Sequence, residues 1–346
     1  MKLFLKAVAF ASFAFILPCH AQQAAPATEK NAPLKLVQTI ALPGLKEGDF
    51  DHFTSDPENH RLFLTGEEND KVFVFDTKTN KLIHTIDPAT SPHAILYRKD
   101  ANKLFIVEGD DSVVRVYDSN SYQKLAEIKL TIDADSIAYD PATKYMYVVN
   151  GGRAAKTNYS LISVVDTTES KKLRDIRIEN NHVEAVVLEK SGQRLFFNIT
   201  GMNAVGVMDR TQSTLQTTWP LPAGTEQNVA MALDEKNHRL LISARKPGKL
   251  IVMDSDNGKV IADLPAVGMI DDLAFDPVQK RIYMPGDQFI DVFEQKDADH
   301  YVRLAEIPGG FRAKTGILIP ELKRYYLAAP KKGTKNAEVR VYEVKP

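Results

Sequence analysis

Apolar residues in this chain come in short alternating runs separated by polar turns, and few are spaced as a helix requires. One run recurs in nearly the same form: "HRLFLTG", "NKLFIVE", "KYMYVVN", "QRLFFNI", "HRLLISA", "KRIYMPG" and "KRYYLAA". Its second residues are Arg61, Lys103, Tyr145, Arg194, Arg239, Arg281 and Arg324, spaced 42, 42, 49, 45, 42 and 43 residues apart. The order of elements around each anchor repeats too. A strand leads into a turn, often opened by Asp-Pro as in "SDPENH", "YDPATK" and "FDPVQK"; the anchor strand and a polar loop follow. A third strand ends in an acidic residue ("KVFVFD", "VVRVYD", "KLIVMD"), and a fourth closes the unit ("KLIHTI", "QKLAEI", "KVIADL"). Four strands in roughly 42 residues, repeated seven times, predict the blades of a β-propeller.

The seventh unit stops at "VYEVKP" without a fourth strand, and the missing pattern stands at the other end of the chain, in "LKLVQTIAL" (Leu34 to Leu42). An all-β, seven-bladed propeller closed by an N-terminal strand completing the last blade is therefore predicted. It forms one domain over residues 34–346, although length alone would suggest two. Residues 1–21 read as a secretory signal peptide: Lys2 and Lys6 precede the apolar run "AVAFASFAFIL", and "CHA" places cleavage after Ala21. That implies a periplasmic or secreted protein whose only cysteine, Cys19, leaves with the signal. An acylated Cys19 would need a lipobox, which Pro18 fits poorly. Residues 22–33, polar and rich in Pro and Ala, read as a flexible leader.

The repeat resembles the secreted YVTN-type (YncE-like) β-propeller family. "YVVN" (Tyr147 to Asn150) nearly spells the tetrapeptide, and "VYDSNSYQKLAEI" and "VMDSDNGKVIADL" resemble its third-strand, turn and fourth-strand sequence. The resemblance implies the fold and an extracytoplasmic address. It implies little about chemistry, because propellers host hydrolases, lyases and binding scaffolds alike.

Candidate chemistry follows from the symmetry. Ten residues before the anchors stand Asp51, His93, Asp135, Glu184, Val229, Asp271 and Lys314, six of them ionisable. Each lies at the head of an innermost strand, so together they should ring one mouth of the central channel. His52, Asn228, Asp272, Arg312, Asp133, His182 and Thr315 stand beside them. Such a ring either satisfies loop backbone groups or converges on a ligand. As a metal site it would use Asp51, Asp135, Glu184 and Asp271; oxygen ligands favour Ca²⁺ or Mg²⁺, and two or three histidines would tilt it towards Zn²⁺ or Fe²⁺. As a catalytic site, a lactonase-like hydrolase or lyase would use His93 and His182 as bases, with Arg245 or Lys314 stabilising an oxyanion.

The loops after the anchor strands are acidic in blades one and two (Glu67, Glu68, Asp70; Glu108, Asp110, Asp111) and basic in blades three, five and seven (Arg153, Lys156; Arg245, Lys246; Lys331, Lys332, Lys335). That polarity predicts a small anionic ligand leaning towards blades five to seven, with Arg245 as its clamp. The longer third period reads as a Gly-hinged lid in "NGGRAAKTNYS". A monomer binding such a molecule or a periplasmic protein is the favoured reading, with the hydrolase as the alternative. A formal charge of −1, with no aromatic residues interleaved among basic ones, fits nucleic acid poorly. No stretch of the mature chain reads as membrane-spanning.

Overall fold

The computed structural model describes residues 32–346. The signal peptide expected at 1–21, and all of the leader but its last two residues, lie outside the described residues. Seven four-stranded antiparallel sheets form the molecule, each one blade of a β-propeller. Blade one contains Phe53–Asp56, Arg61–Gly66, Lys71–Asp76 and Lys81–Ile86, paired in that order from the centre outwards. The second and third strands of a blade are sandwiched between neighbouring blades, so their apolar runs are buried almost throughout; the outer strand is largely exposed. The hydrophobic clusters accordingly lie between blades. One joins Phe73 and Phe75 of blade one to Tyr326 and Val341 of blade seven.

Closure follows the predicted swap. Blade seven contains Thr315–Ile319, Arg324–Ala329 and Ala337–Val344, and its outer strand is Leu34–Leu42. Leu34 pairs with Val344 and Leu42 with Ala337. Val37 has no partner in this register and forms a bulge. Ile83, Leu125 and Leu173 bulge at the same step of the outer strands of blades one, two and three. The imported strand thus carries the irregularity of the strands that it replaces, and such bulges discourage outer edges from pairing with other chains.

The recurring sequence signals have local physical causes. The acid ending a third strand caps the following turn: Asp76 accepts from Thr79 N (2.6 Å), Asp118 from Asn120 N (2.9 Å) and Asp166 from Thr168 N (2.8 Å). The residue before the anchor takes the left-handed conformation at His60, Asn102, Lys144, His238, Lys280 and Lys323, closing the turn between the first and second strands. The basic anchor itself reaches into the next blade. Arg61 donates to Ser119 O, Lys103 to Thr168 O (2.9 Å), Arg194 to Ser255 O (2.5 Å), Arg239 to Ala298 O (3.0 Å) and Arg281 to Lys345 O. Each acceptor follows a third strand, so one clamp recurs at five blade junctions. Where blade three has Tyr145 instead, Arg210 of blade four reaches back to Asp140 (3.2 Å).

Candidate functional site

The seven positions found by counting back from the anchors meet at one end of the channel. Asp51, His93, Asp135, Glu184, Val229, Asp271 and Lys314 all line one cavity of ≈ 160 Å³, together with His52, Glu67, Ser136, Ala185 and Arg245. Their backbones are held there by pairing that continues past the ends of the inner strands. Asp51 N donates to Thr65 O (3.2 Å), Asp135 N to Val149 O (2.9 Å) and Glu184 N to Asn198 O (3.0 Å).

Side chains link these positions into one ionic network. Asp51 is buried, and its Oδ2 accepts from Nδ1 of His93 at 2.6 Å. Its Oδ1 lies 3.4 Å from Nε2 of His52, whose Nδ1 is 2.8 Å from Asp272 Oδ1. Both ring nitrogens of His52 therefore face carboxylates. Burial opposes charge on these imidazoles, but the carboxylates outweigh it: His52 is raised well above its usual value and His93 to about 10. Asp51 is likewise penalised by burial, yet the two imidazoliums hold it well below the usual carboxylate range. On the other side, Lys314 Nζ lies 2.6 Å from Asp271 Oδ2 and 3.2 Å from Asp49 Oδ2. Arg245 binds Asp271 and the Ile270 carbonyl (2.9 Å).

Two carboxylates stand apart from this pairing. Among the described residues the one ion-pair contact of Asp135 within 4 Å is His93, at 3.8 Å, and neither Asp135 nor Glu67 has a side-chain hydrogen bond. Burial and the negative charge of Asp51 push Asp135 up to about 8 and Glu67 to about 7. Ionising both beside Asp51 is costly unless a cation joins them.

Several expectations change at this point. His93 Nδ1 is engaged by Asp51, and the carboxylates around it raise the imidazole to about 10 against the penalty of burial. His182 is not among the residues lining the cavity, and its Nε2 bonds Glu184 Oε1 (2.8 Å). Asn228 is fully buried between blades four and five, donating to Asn198 Oδ1 (2.8 Å) and Ala204 O (3.0 Å), so it holds the blade junction. Arg312 pairs with Asp49, outside the cavity. Asp272 orients His52 and accepts from Gly316 N (2.9 Å). Buried Thr315 donates to Phe50 O (3.0 Å), and Asp133 is exposed beside the ring.

Glu108 is not at the mouth; fully buried, it accepts from Thr90 N (2.8 Å) and pairs with Arg115. The Arg153 loop is tied down: Arg153 N donates to Asn181 O (3.1 Å), and Thr157 Oγ1 donates to Tyr159 O (2.6 Å), so it is braced against blade four. Arg245 and Lys314 are already paired with Asp271, while burial and Asp51 crowd Asp135 and Glu67. Counting back from the anchors misses Glu67 and Asp49. Glu67 lies one loop later, where acid reads in the sequence only as loop charge. Asp49 is visible only as the first acid of "GDFDH".

No protein-family model matches the chain, and no curated protein matches it. Solved structures do. A chain of hydrazine synthase from Kuenenia stuttgartiensis is similar with a TM-score of 0.73 and 19% identity, over 88% of this chain and 99% of that one. A chain of the mitotic checkpoint complex gives a TM-score of 0.74 at 14% identity, over 97% of this chain and 99% of that one. The WD40 repeats of RRP9 give 0.73 at 10% identity, over 90% and 100%. At such low identity the likeness speaks for the fold alone. The chain is a seven-bladed β-propeller of WD40-like architecture.

Proposed function

We propose that the chain is an extracytoplasmic binding protein of the YVTN (YncE-like) kind, and that its channel mouth holds a divalent metal ion through which a small ligand is bound. One observation carries this reading. Asp51, His52 and Asp135 form one triad and Asp51, Glu67 and His93 another, each bringing three ligand atoms within 4.8 Å of one another. The triads share Asp51, and they include the two carboxylates that lack hydrogen bonds. A dication would offset both the burial and the repulsion from Asp51 that keep Asp135 and Glu67 protonated. Imidazole with carboxylate is a donor set for Zn²⁺, Fe²⁺ or Mn²⁺ more than for Ca²⁺. The ion competes with the protons on His52 and His93, so its affinity rises with pH. When bound it supplies a Lewis acid. Arg245 and Lys314 border the same cavity, where a ligand carboxylate would compete with Asp271 for them.

A metal-assisted hydrolase or lyase would occupy the same ring, but it also needs a positioned base, and His93 and His182 do not provide one together. Binding requires less of the site. The extracytoplasmic address rests on the signal-peptide reading of residues 1–21.

Elemental analysis of protein isolated from the periplasm should find one equivalent of a transition metal, and chelator should lower the melting temperature. An ion at a hundredfold excess over its dissociation constant adds about 2.7 kcal/mol. Asp51→Asn, which removes the ligand that the two triads share, should abolish that gain. Asp135→Asn, by contrast, should make the metal-free protein more stable, since it removes a crowded carboxylate. Finding no metal, together with no shift from Zn²⁺, Mn²⁺ or Ca²⁺, would refute the reading.

A further inference from the structure

A second and larger cavity, of ≈ 380 Å³, lies between blades six and seven and shares no lining residue with the channel mouth. Phe311, Gln288, Lys332, Lys335, Glu338 and Arg340 supply its side-chain chemistry. Three cations there face one carboxylate. Lys335 Nζ (3.1 Å) and Arg340 Nε (2.7 Å) both lie on Glu338 Oε1, and the side chains of Arg340 and Glu338 are largely buried. Lys332 makes no ion pair among the described residues; its Nζ stands 4.2 Å from the centroid of the half-buried Phe311 ring. The local charge is therefore positive and lies beside an aromatic surface.

The wall carrying these lysines is preformed. Lys332 and Lys335 exchange backbone hydrogen bonds of 3.1 and 3.0 Å, closing a tight turn. That turn is pinned from behind, where Lys331 Nζ donates to Leu45 O (3.1 Å) and Gly333 N to Glu47 Oε1 (2.7 Å). The turn that carries the lysines is already ordered, so a ligand would pay little to order the loop. The volume is that of a small-molecule site.

We propose that this groove binds a small aryl anion, with its carboxylate or phosphate held by Lys332, Lys335 and Arg340 and its ring packed on Phe311. Charged hydrogen bonds hold the head group, and the aromatic face selects against bare inorganic anions. The site is independent of the metal reading.

Isothermal titration with phenyl phosphate at low salt tests it. One saturable site is expected, with inorganic phosphate binding about tenfold more weakly. Phe311→Ala should bring phenyl phosphate down to the level of phosphate. Lys332→Ala with Lys335→Ala should weaken it by at least ~10-fold, while Lys280→Ala, on the exposed Asp-Pro turn of blade six, should change nothing. Melting curves confirm folding, and Phe311→Leu, which keeps apolar bulk without a ring, replaces Phe311→Ala if that variant unfolds. Absence of saturable binding, or binding that survives both the ring and the lysine substitutions, overturns the proposal.

Discussion

At the scale of single residues, the mouth is held by charges that exist only in each other's company. Asp51 is ionised because His52 and His93 are, and they remain protonated because Asp51 lies between them. In metal-free protein this fixes the direction of the pH dependence. His93, raised to about 10, contributes stability that is fully present below its unfolded value of ~6.5 and lost as pH climbs through 10. Asp135, raised to about 8, keeps a proton that the unfolded chain releases near pH ~3.9, so its share also falls as pH rises from ~4 to 8. Asp51 acts oppositely, but only in acid, where its contribution disappears as pH falls below ~3.9. Melting temperatures measured in chelator should therefore decline from pH 6 to 10. Asp135→Asn should flatten the slope below pH 8 and leave the part above it, which belongs to the histidines. A flat or rising profile in the wild type would show that the network is not built this way.

At the scale of strands and turns, the basic anchor that reveals the repeat is also the bolt between blades. A strand-leading Arg or Lys reads in sequence as a polar edge residue. In the fold its head group crosses to a carbonyl of the next blade, at an ion-assisted hydrogen bond. Arg194→Ala and Arg239→Ala should each destabilise the protein by about 1.5–3 kcal/mol, because each leaves acceptors of two blades unmatched. Among the described residues Arg324 bonds only its neighbour's carbonyl, Lys323 O (3.1 Å), and Arg324→Ala should cost less than ~0.5 kcal/mol. Urea unfolding of the three variants checks the contrast. Equal losses would mean that burial of the aliphatic stems matters, and not the clamp.

At the scale of the whole molecule, the ring closes through one strand borrowed from the other end of the chain. Leu34, Ile40 and Leu42 are buried in that strand, each worth about 1.5–3 kcal/mol against exposure. Its removal also opens the edge of Ala337–Val344. Deleting residues 34–42 should leave a protein that aggregates or melts far below the intact chain, as calorimetry and light scattering would report. A melting curve within about 2 °C of the intact protein would mean that six complete blades and a three-stranded seventh suffice. No helix among the described residues is long and apolar enough to cross a membrane.

What the sequence alone determined is what depends on period. Alternation, turn residues and the spacing of the anchors mark seven units, four strands each, and Leu34–Leu42 as the stray fourth strand. Because the units are equivalent, counting from the anchors also finds the seven channel positions without any knowledge of contacts. Tertiary structure decided whatever depends on which blade stands next to which. The clamp from Arg61 to Ser119 spans two units, and the pairing of His93 with Asp51 spans a full period of 42 residues. Asn228 looks like a ring member in sequence but turns into a blade junction, while Glu67 enters the cavity from a different loop. Charge states follow the same division. A carboxylate's position can be read from a repeat, but its protonation depends on burial and on the neighbours that only the closed ring brings within reach.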